Sequence, residues 1–291
     1  MKLQDKAVIL TGASLGLGKE IAKYLVMEGA NISICSRGKQ NLDRAVSELK
    51  SLKDKNQKIF SYEADVSKES DVCAFVDFSI SNLGSVDVLI NNAGIYGPKG
   101  NVDIVDIDTW IQTFNINLLG TLLMCKKVIP EFKKKGKGKI INLSGGGATS
   151  PLPGLSAYAA TKAAVVRLTE TLSLELKENN IFVNAIAPGA LNTRLLDEVL
   201  DDGKDKVPAE FYEKSLKQKE SGGTPLSVGA KLCVYLASDE SDGITGKLIS
   251  AVWDDWKNLH KHLKELDSDI YTLRRIIPED RGITLETGMK E

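Results

Sequence analysis

Tyr158 and Lys162 stand four residues apart in the run Tyr158-Ala159-Ala160-Thr161-Lys162. On a helix that spacing puts both side chains on one face, where they can meet. A free phenol titrates near ~10 and is a poor base at neutral pH. An ammonium beside it favours the phenolate and lowers that pKa. Such a pair is a proton shuttle suited to interconverting an alcohol and a carbonyl. The same spacing also arises by chance on surface helices, so its meaning depends on the elements that position it.

The first of these elements lies at the N-terminus. Ala7 to Leu10 is a short apolar run of the kind that forms a buried parallel strand. Thr11-Gly12-Ala13-Ser14-Leu15-Gly16-Leu17-Gly18 follows, then an amphipathic helix over 19–28. Strand, glycine turn and helix together make a phosphate cradle. Gly12 permits the tight turn, and Gly16 lets the backbone approach a pyrophosphate favoured by the helix N-terminus. Gly18 lets the helix pack close to the sheet. Ser14, Leu15 and Leu17 belong to the same cradle; the plain alternative is a structural turn.

A second strand over 31–35 ends at Ser36-Arg37. An acidic residue there would bind the adenosine ribose hydroxyls, and an Arg would neutralise a 2′-phosphate. Neither position is acidic, and Arg37 and Lys39 are available, which favours NADP(H) over NAD(H). The bland alternative is a solvated Arg37. A helix over 42–52 and a strand over 58–62 lead to Asp65-Val66. Asp65 is open to two readings, an acceptor for the adenine amino group or a cap for a helix starting near Ser67.

The fourth strand, over 86–90, ends in Asn91-Asn92-Ala93-Gly94. Small residues let the backbone pass close to a cofactor and Asn side chains pin the turn, which places Asn91, Ala93 and Gly94 at the ligand. A helix over 108–134 carries Asn115 and Asn117. Asn is unfavourable mid-helix, so a polar task is expected there, such as holding a water or a backbone carbonyl. A strand over 139–143 opens into Ser144-Gly145-Gly146-Gly147, and a helix over 156–178 carries the Tyr–Lys pair. A strand over 181–187 ends at Pro188-Gly189-Ala190-Leu191-Asn192-Thr193, a turn in which Pro188, Gly189, Leu191 and Thr193 can face a ligand. The stretch 194–224 is charged and irregular with a helical piece over 209–219, and reads as a mobile lid. A helix over 226–238 and a strand over 247–249 complete seven β units. This alternation predicts an α/β fold, a doubly wound parallel seven-stranded sheet in three layers, with ligands at the carboxyl ends of the strands.

Composition narrows the partners. The 291 residues are 42% hydrophobic, enough for a substantial core, and Lys+Arg 38 balances Asp+Glu 39. No overall field recruits nucleic acid or membrane. The Lys133–Lys139 run reads as a solvated loop after a helix rather than a phosphate or RNA patch. Cys35, Cys73, Cys125 and Cys233 form no CxxC pair and read as free thiols in a reducing compartment. The only histidines are His260 and His262, which excludes a His-dependent triad or His-ligated metal in the main body. No signal peptide and no bilayer-spanning run is evident, so a cytoplasmic protein is expected.

Together these residues resemble the short-chain dehydrogenase/reductase family, in its ordinary single-domain branch. The motifs are TGASLGLG at 11–18, NNAG at 91–94, NLLG at 117–120, YAATK at 158–162 and PGALNT at 188–193, matching in order and spacing over about 250 residues. The resemblance implies a Rossmann-type fold, a nicotinamide cofactor and hydride transfer to or from a carbonyl carbon of a small-molecule substrate. It makes Tyr158 the acid/base and has Lys162 bind the nicotinamide ribose and lower the Tyr pKa. Asn117 would hold a water linking Lys162 to solvent. It also implies a homodimer or homotetramer paired through the two long helices.

Two departures stand out. The family places a Ser thirteen residues before the Tyr, and here that residue is Gly145. Ser144 can substitute if the loop shifts by one; Ser150 or a lid residue can also supply the hydroxyl. The chain also continues past the last strand. A domain over 1–250, with its lid over 194–224, is followed by an extension over 251–291 that packs on the same or a neighbouring subunit. In that extension Trp253, Trp256, Tyr271, Arg274 and Arg275 are prominent, and Leu259, Leu263 and Leu266 give a helical stripe. It reads as a packing arm, or as a lid whose Trp stacks on a ring and whose Arg binds a phosphate or carboxylate. An NAD(P)-dependent oxidoreductase is the leading reading. A catalytically weak dinucleotide-binding sensor is the alternative, favoured by Gly145 and opposed by the retained Asn117, Tyr158 and Lys162. A third reading is dehydration or epimerisation with a retained cofactor.

Overall fold

The computed structural model describes residues 1–284 of the chain; the last residues of the expected 251–291 extension lie outside the described residues. Seven strands form one parallel sheet, ordered β3-β2-β1-β4-β5-β6-β7. They are β1 (Ala7–Thr11), β2 (Asn31–Ser36), β3 (Ile59–Glu63), β4 (Val88–Asn91), β5 (Gly138–Leu143), β6 (Ile181–Ala187) and β7 (Leu248–Ser250). The order reverses between β1 and β4, and that switch point opens a crevice at the carboxyl edge of the sheet.

The strands read as unbroken apolar runs because both faces are covered. Along β1, Val8 and Leu10 enter one apolar cluster and Ile9 the other; β4 repeats this with Val88 and Ile90 against Leu89. On the first face lie α1 (Gly16–Met27), α2 (Lys39–Lys50) and α9 (Leu226–Ala237). On the second lie α3 (Glu69–Leu83), α5 (Gly120–Lys135) and α6 (Ser156–Glu175). The expected three layers are therefore present.

The elements differ from expectation in ways that matter for the site. Helix α1 begins at Gly16, so the second half of the glycine motif forms its first turn. The helix expected over 108–134 is three pieces: α4 (Ile107–Phe114), a π-helical segment Asn115–Leu119, and α5. A π turn carries one extra residue and occurs most often at functional sites; here it turns Asn117 into the interior, where it is buried. The lid stretch holds two helices, α7 (Arg194–Asp202) and α8 (Ala209–Ser221). Helix α7 was missed because its aspartates and glutamate masked the spacing of Leu196 and Val199, which it buries.

The tail folds onto its own chain and not as one helix. A 3₁₀ segment, Trp256–Lys261, precedes a single turn, α10 (Leu263–Leu266). Leu259 and Leu266 join the first core cluster, while Leu263 is exposed. Trp256 packs on Tyr235 with ring centroids 5.5 Å apart. Beyond it the backbone reaches the outer edge of β7. Leu248 N donates to the Tyr271 carbonyl at 2.8 Å, and Lys247 Nζ donates to the carbonyls of Ser268 at 2.7 Å and Ile270 at 3.1 Å. The last strand of the sheet is thus not left with open edge groups.

Candidate active site

A cavity of about 1130 Å³ runs along the carboxyl edge, and most of the motif residues meet in it. Its floor at one end is the turn between β1 and α1. Gly12 has φ +66° and Gly16 φ +53°, conformations that a side chain disfavours. A Cβ on Gly18 would lie 2.1 Å from the Gly12 carbonyl oxygen and 2.4 Å from Asn92 Nδ2, so only glycine lets helix and turn close up. The N-terminus of α1 has no capping side chain and no acidic residue in its first turn. Its free N–H groups face the cavity alongside Ser14, Leu15 and Leu17, a ready anion site.

Asn92, not its neighbour Asn91, ties this turn to β4. Its Nδ2 donates to the carbonyls of Thr11 at 3.1 Å and Gly12 at 2.9 Å. Asn91 points the other way and does not line the cavity. Its Nδ2 donates to Asn142 Oδ1 at 2.9 Å in the packing between β4 and β5, so its expected place at the ligand is corrected. Alternation explains the difference, because successive strand residues face opposite sides. Ala93 and Gly94 line the cavity as expected.

At the end of β2, Arg37, Gly38 and Asn41 line the cavity with Ser36. Arg37 has no hydrogen-bond or ion-pair partner among the described residues, whereas Lys39 is taken by Asp43 at 2.7 Å. Ser36 Oγ is buried without any partner. A buried hydroxyl left unsatisfied is costly unless a ligand meets it. Asp65 and Val66 form the adjoining wall. Asp65 Oδ1 accepts from Ser67 N at 3.0 Å and Ser67 Oγ at 2.7 Å in a local turn; it does not cap α3, which begins at Glu69 without a capping side chain.

At the other end stand Tyr158 and Lys162, one turn apart on α6. Lys162 Nζ donates to the Leu143 carbonyl at 2.7 Å and lies 5.6 Å from the centroid of the Tyr158 ring. Burial lowers its pKa to about 8. Burial also pushes the Tyr158 phenol up, with Tyr96 adding to the effect. The expected lowering of the phenol by its neighbour is therefore corrected: desolvation outweighs the lysine, whose ammonium is bound to a carbonyl and not to the hydroxyl. Tyr96 meets Tyr158 edge to face, centroids 4.6 Å apart; as the one aromatic residue just after the NNAG turn, it could have been singled out.

Asn117 is held fast. Its Oδ1 accepts from Ile95 N at 2.9 Å, and its Nδ2 donates to the Ile95 carbonyl at 2.9 Å and to Thr161 Oγ1 at 3.0 Å. Its side chain takes the carbonyl-binding task of the two expected and ties the β4 loop to α6.

The glycine loop does not shift to bring Ser144 forward. Ser144 is among the residues lining the cavity, but its Oγ is buried and donates to the Lys162 carbonyl at 3.2 Å, so the hydroxyl is engaged away from Tyr158, against its expected catalytic place. Position 145 is the one that faces the phenol: a Cβ there would lie 2.6 Å from the Tyr158 hydroxyl oxygen. Thr149 and Ser150 line the cavity further out. Pro188, Gly189, Leu191 and Thr193 line it from β6, and α7 and α8 close over it. Trp253 reaches the cavity from the tail, but Arg274 and Arg275 do not. Arg274 pairs instead with Asp269 and Asp280. Among the described residues no cluster of metal-binding side chains occurs and no helix is long and apolar enough to cross a membrane.

Comparison with known proteins agrees with this geometry. The family model for short chain dehydrogenases matches residues 6–204. Dehydrogenase/reductase SDR family member 4 of Caenorhabditis elegans is 35% identical over 251 residues, covering 85% of this chain and 94% of that protein. The 3-oxoacyl-(acyl-carrier-protein) reductase of Thermotoga maritima is 34% identical, covering 86% and 97%. Among solved structures, 3-ketoacyl-(acyl-carrier-protein) reductase from Brucella melitensis, complexed with NADH, superposes with a TM-score of 0.74. It is 32% identical and covers 85% of this chain and 96% of that one. With the motifs, the sheet order and these relatives in agreement, the chain belongs to the short-chain dehydrogenase family and is an NAD(P)-dependent oxidoreductase.

Proposed function

We propose that this enzyme reduces a carbonyl compound at the expense of NADPH, with Tyr158 as the proton donor. The observation that carries this reading is that one continuous cavity joins the glycine cradle to the Tyr158–Lys162 pair. The residues present fit the cofactor. The uncapped start of α1 would hold the pyrophosphate, Ser36 Oγ and Arg37 the 2′-phosphate, and Lys162 the nicotinamide ribose. When bound, NADPH supplies the hydride.

The chain's own residues manage the proton. The raised pKa keeps Tyr158 protonated at neutral pH, which suits an acid that donates to the oxygen of a carbonyl being reduced. Lys162, titrating at about 8, is a proton reservoir one helical turn away. Asn117 fixes the Ile95 backbone and Thr161, and so the spacing of the loop from the pair. No side chain at position 145 helps to hold the carbonyl oxygen, and loss of one such donor slows turnover by about 10²–10³-fold without abolishing it.

The test is NADPH absorbance followed over a panel of carbonyl compounds. Within it, Arg37→Asp should reverse the cofactor preference, raising KM for NADPH at least about 100-fold while leaving or lowering that for NADH. An unchanged NADPH KM would show that Arg37 is merely solvated. The partner reading is a homodimer or homotetramer. Ile107, Ile111, Phe114 and Leu122 leave an exposed apolar stripe along α4 and α5, beside exposed Val102 and Ile104, which a second copy would bury. Sedimentation should give a dimer or tetramer, and Ile111→Glu should shift it toward monomer; a monomeric parent chain would overturn this reading.

A further inference from the structure

We propose that the substrate is a bulky, largely apolar ring ketone, or the matching secondary alcohol, held against Trp253; this rests on the reading of Tyr158 as proton donor. Three independent features of the substrate end point there.

Gly145 packs directly on the phenol, where a Cβ would lie 2.6 Å from its oxygen, but the next residue leaves space, since a Cβ on Gly146 would meet nothing within 4 Å. Space next to the reacting carbonyl is what a ring needs and a small chain does not.

The remaining walls carry a large apolar share. Beyond the cofactor cradle Tyr96, Leu152, Leu195, Val199, Phe211 and Trp253 line the cavity, with the polar Thr149, Ser150 and Gln218 among them. The charges nearby are already engaged or solvated. Arg194 pairs with Glu198 at 3.1 Å, and Lys214 is exposed. Apart from Lys162, which is bound to the Leu143 carbonyl, no buried cation among the described residues of that end faces the cavity.

Trp253 is 86% exposed, yet its backbone is fixed. Asp254 accepts from Ser250 N at 2.6 Å, and Ser250 Oγ accepts from Trp253 N at 3.1 Å and Val252 N at 3.3 Å. The turn is packed on the ligand-facing turn after β6: a Cβ on Gly189 would lie 2.7 Å from Val252. An indole held out over a cavity on a braced turn gives contact area with little ordering cost on binding. It stacks well on a flat or fused ring and gains little from a three-carbon polar chain.

The test is calorimetric binding to the full chain in the presence of NADP+, which has no hydride to give a ketone. β-Tetralone, a fused-ring ketone, should bind at least about 10-fold more tightly than dihydroxyacetone. Trp253→Ala should weaken β-tetralone about 5–10-fold and leave NADP+ and dihydroxyacetone unchanged, and Trp253→Phe should restore most of the loss. Equal affinities, or indifference to Trp253→Ala, overturn the proposal. Turnover with NADPH separates the two readings. β-Tetralone that binds through Trp253 but is never reduced counts against the reaction assigned to Tyr158 and leaves the substrate class standing. Preferred reduction of dihydroxyacetone does the reverse.

Discussion

Tyr158→Phe should lower kcat about 10³-fold and leave the Kd for NADPH within about two-fold. General acid catalysis by one positioned group contributes about 10²–10⁴-fold, and here no neighbour can replace it. Ser144 donates to the Lys162 carbonyl, and position 145 carries no side chain. The substitution is clean on structural grounds. The phenylalanine ring keeps the edge-to-face contact with Tyr96, and the lost hydroxyl has no hydrogen-bond partner among the described residues, so nothing is stranded. The melting temperature should therefore stay within a degree or two, which separates a catalytic loss from a folding loss. Single-turnover rates with NADPH and saturating ketone give the measurement. Turnover that survives the change would remove Tyr158 as the acid and revive the non-catalytic reading that Gly145 first raised.

The parallel sheet was legible because strands buried on both faces appear as plain apolar runs, several of them ending in a motif of glycines or asparagines, whereas the order of the strands was not. What was not legible depended on direction. Asn91 and Asn92 are alike in sequence, but the strand's two-residue period sends the first into the packing and the second to the glycine turn. Ser144 and Gly145 differ in the same way. A helical count gave 108–134 as one element; the π turn that buries Asn117 adds a residue that such a count does not detect. The tail's leucines had helical spacing, yet Leu259 and Leu266 are buried from two short turns, because the core they cover is set by α9 and β7. The Tyr158–Lys162 pair was found by spacing, while its electrostatics were not, since burial is a property of the folded chain. With both groups in water the lysine would win; inside the fold desolvation wins for both.

That burial leads to the second large effect, in Lys162→Met. Turnover should fall at least about 100-fold, since the ribose contact and the proton reservoir are lost together. Stability should respond to pH in a particular direction. The folded-state pKa of Lys162 is lowered from 10.5 to about 8 by desolvation. Below pH 8 both folded and unfolded chains carry the charge, and the folded chain bears the full cost of burying it, about 3 kcal/mol for that fall in pKa. Between pH 8 and 10.5 the unfolded chain binds the extra proton, so the wild type gains stability as pH rises; above 10.5 the gain is complete. Methionine has no such dependence. It also leaves the Leu143 carbonyl without its donor, a loss of about 1–3 kcal/mol at any pH. Near pH 7 the two effects roughly cancel, and the variants should be of similar stability. By pH 10 the wild type should be ahead by about 2 kcal/mol or more in urea unfolding, with other titrating groups common to both proteins. A difference that stays flat, or that narrows in the other direction, would place the ammonium in water. Reduction should in turn slow as pH rises through about 8, where Lys162 gives up the proton that recharges Tyr158. The burial that weakens the fold at neutral pH is the same one that brings the amine's pKa close enough to neutrality to supply a proton.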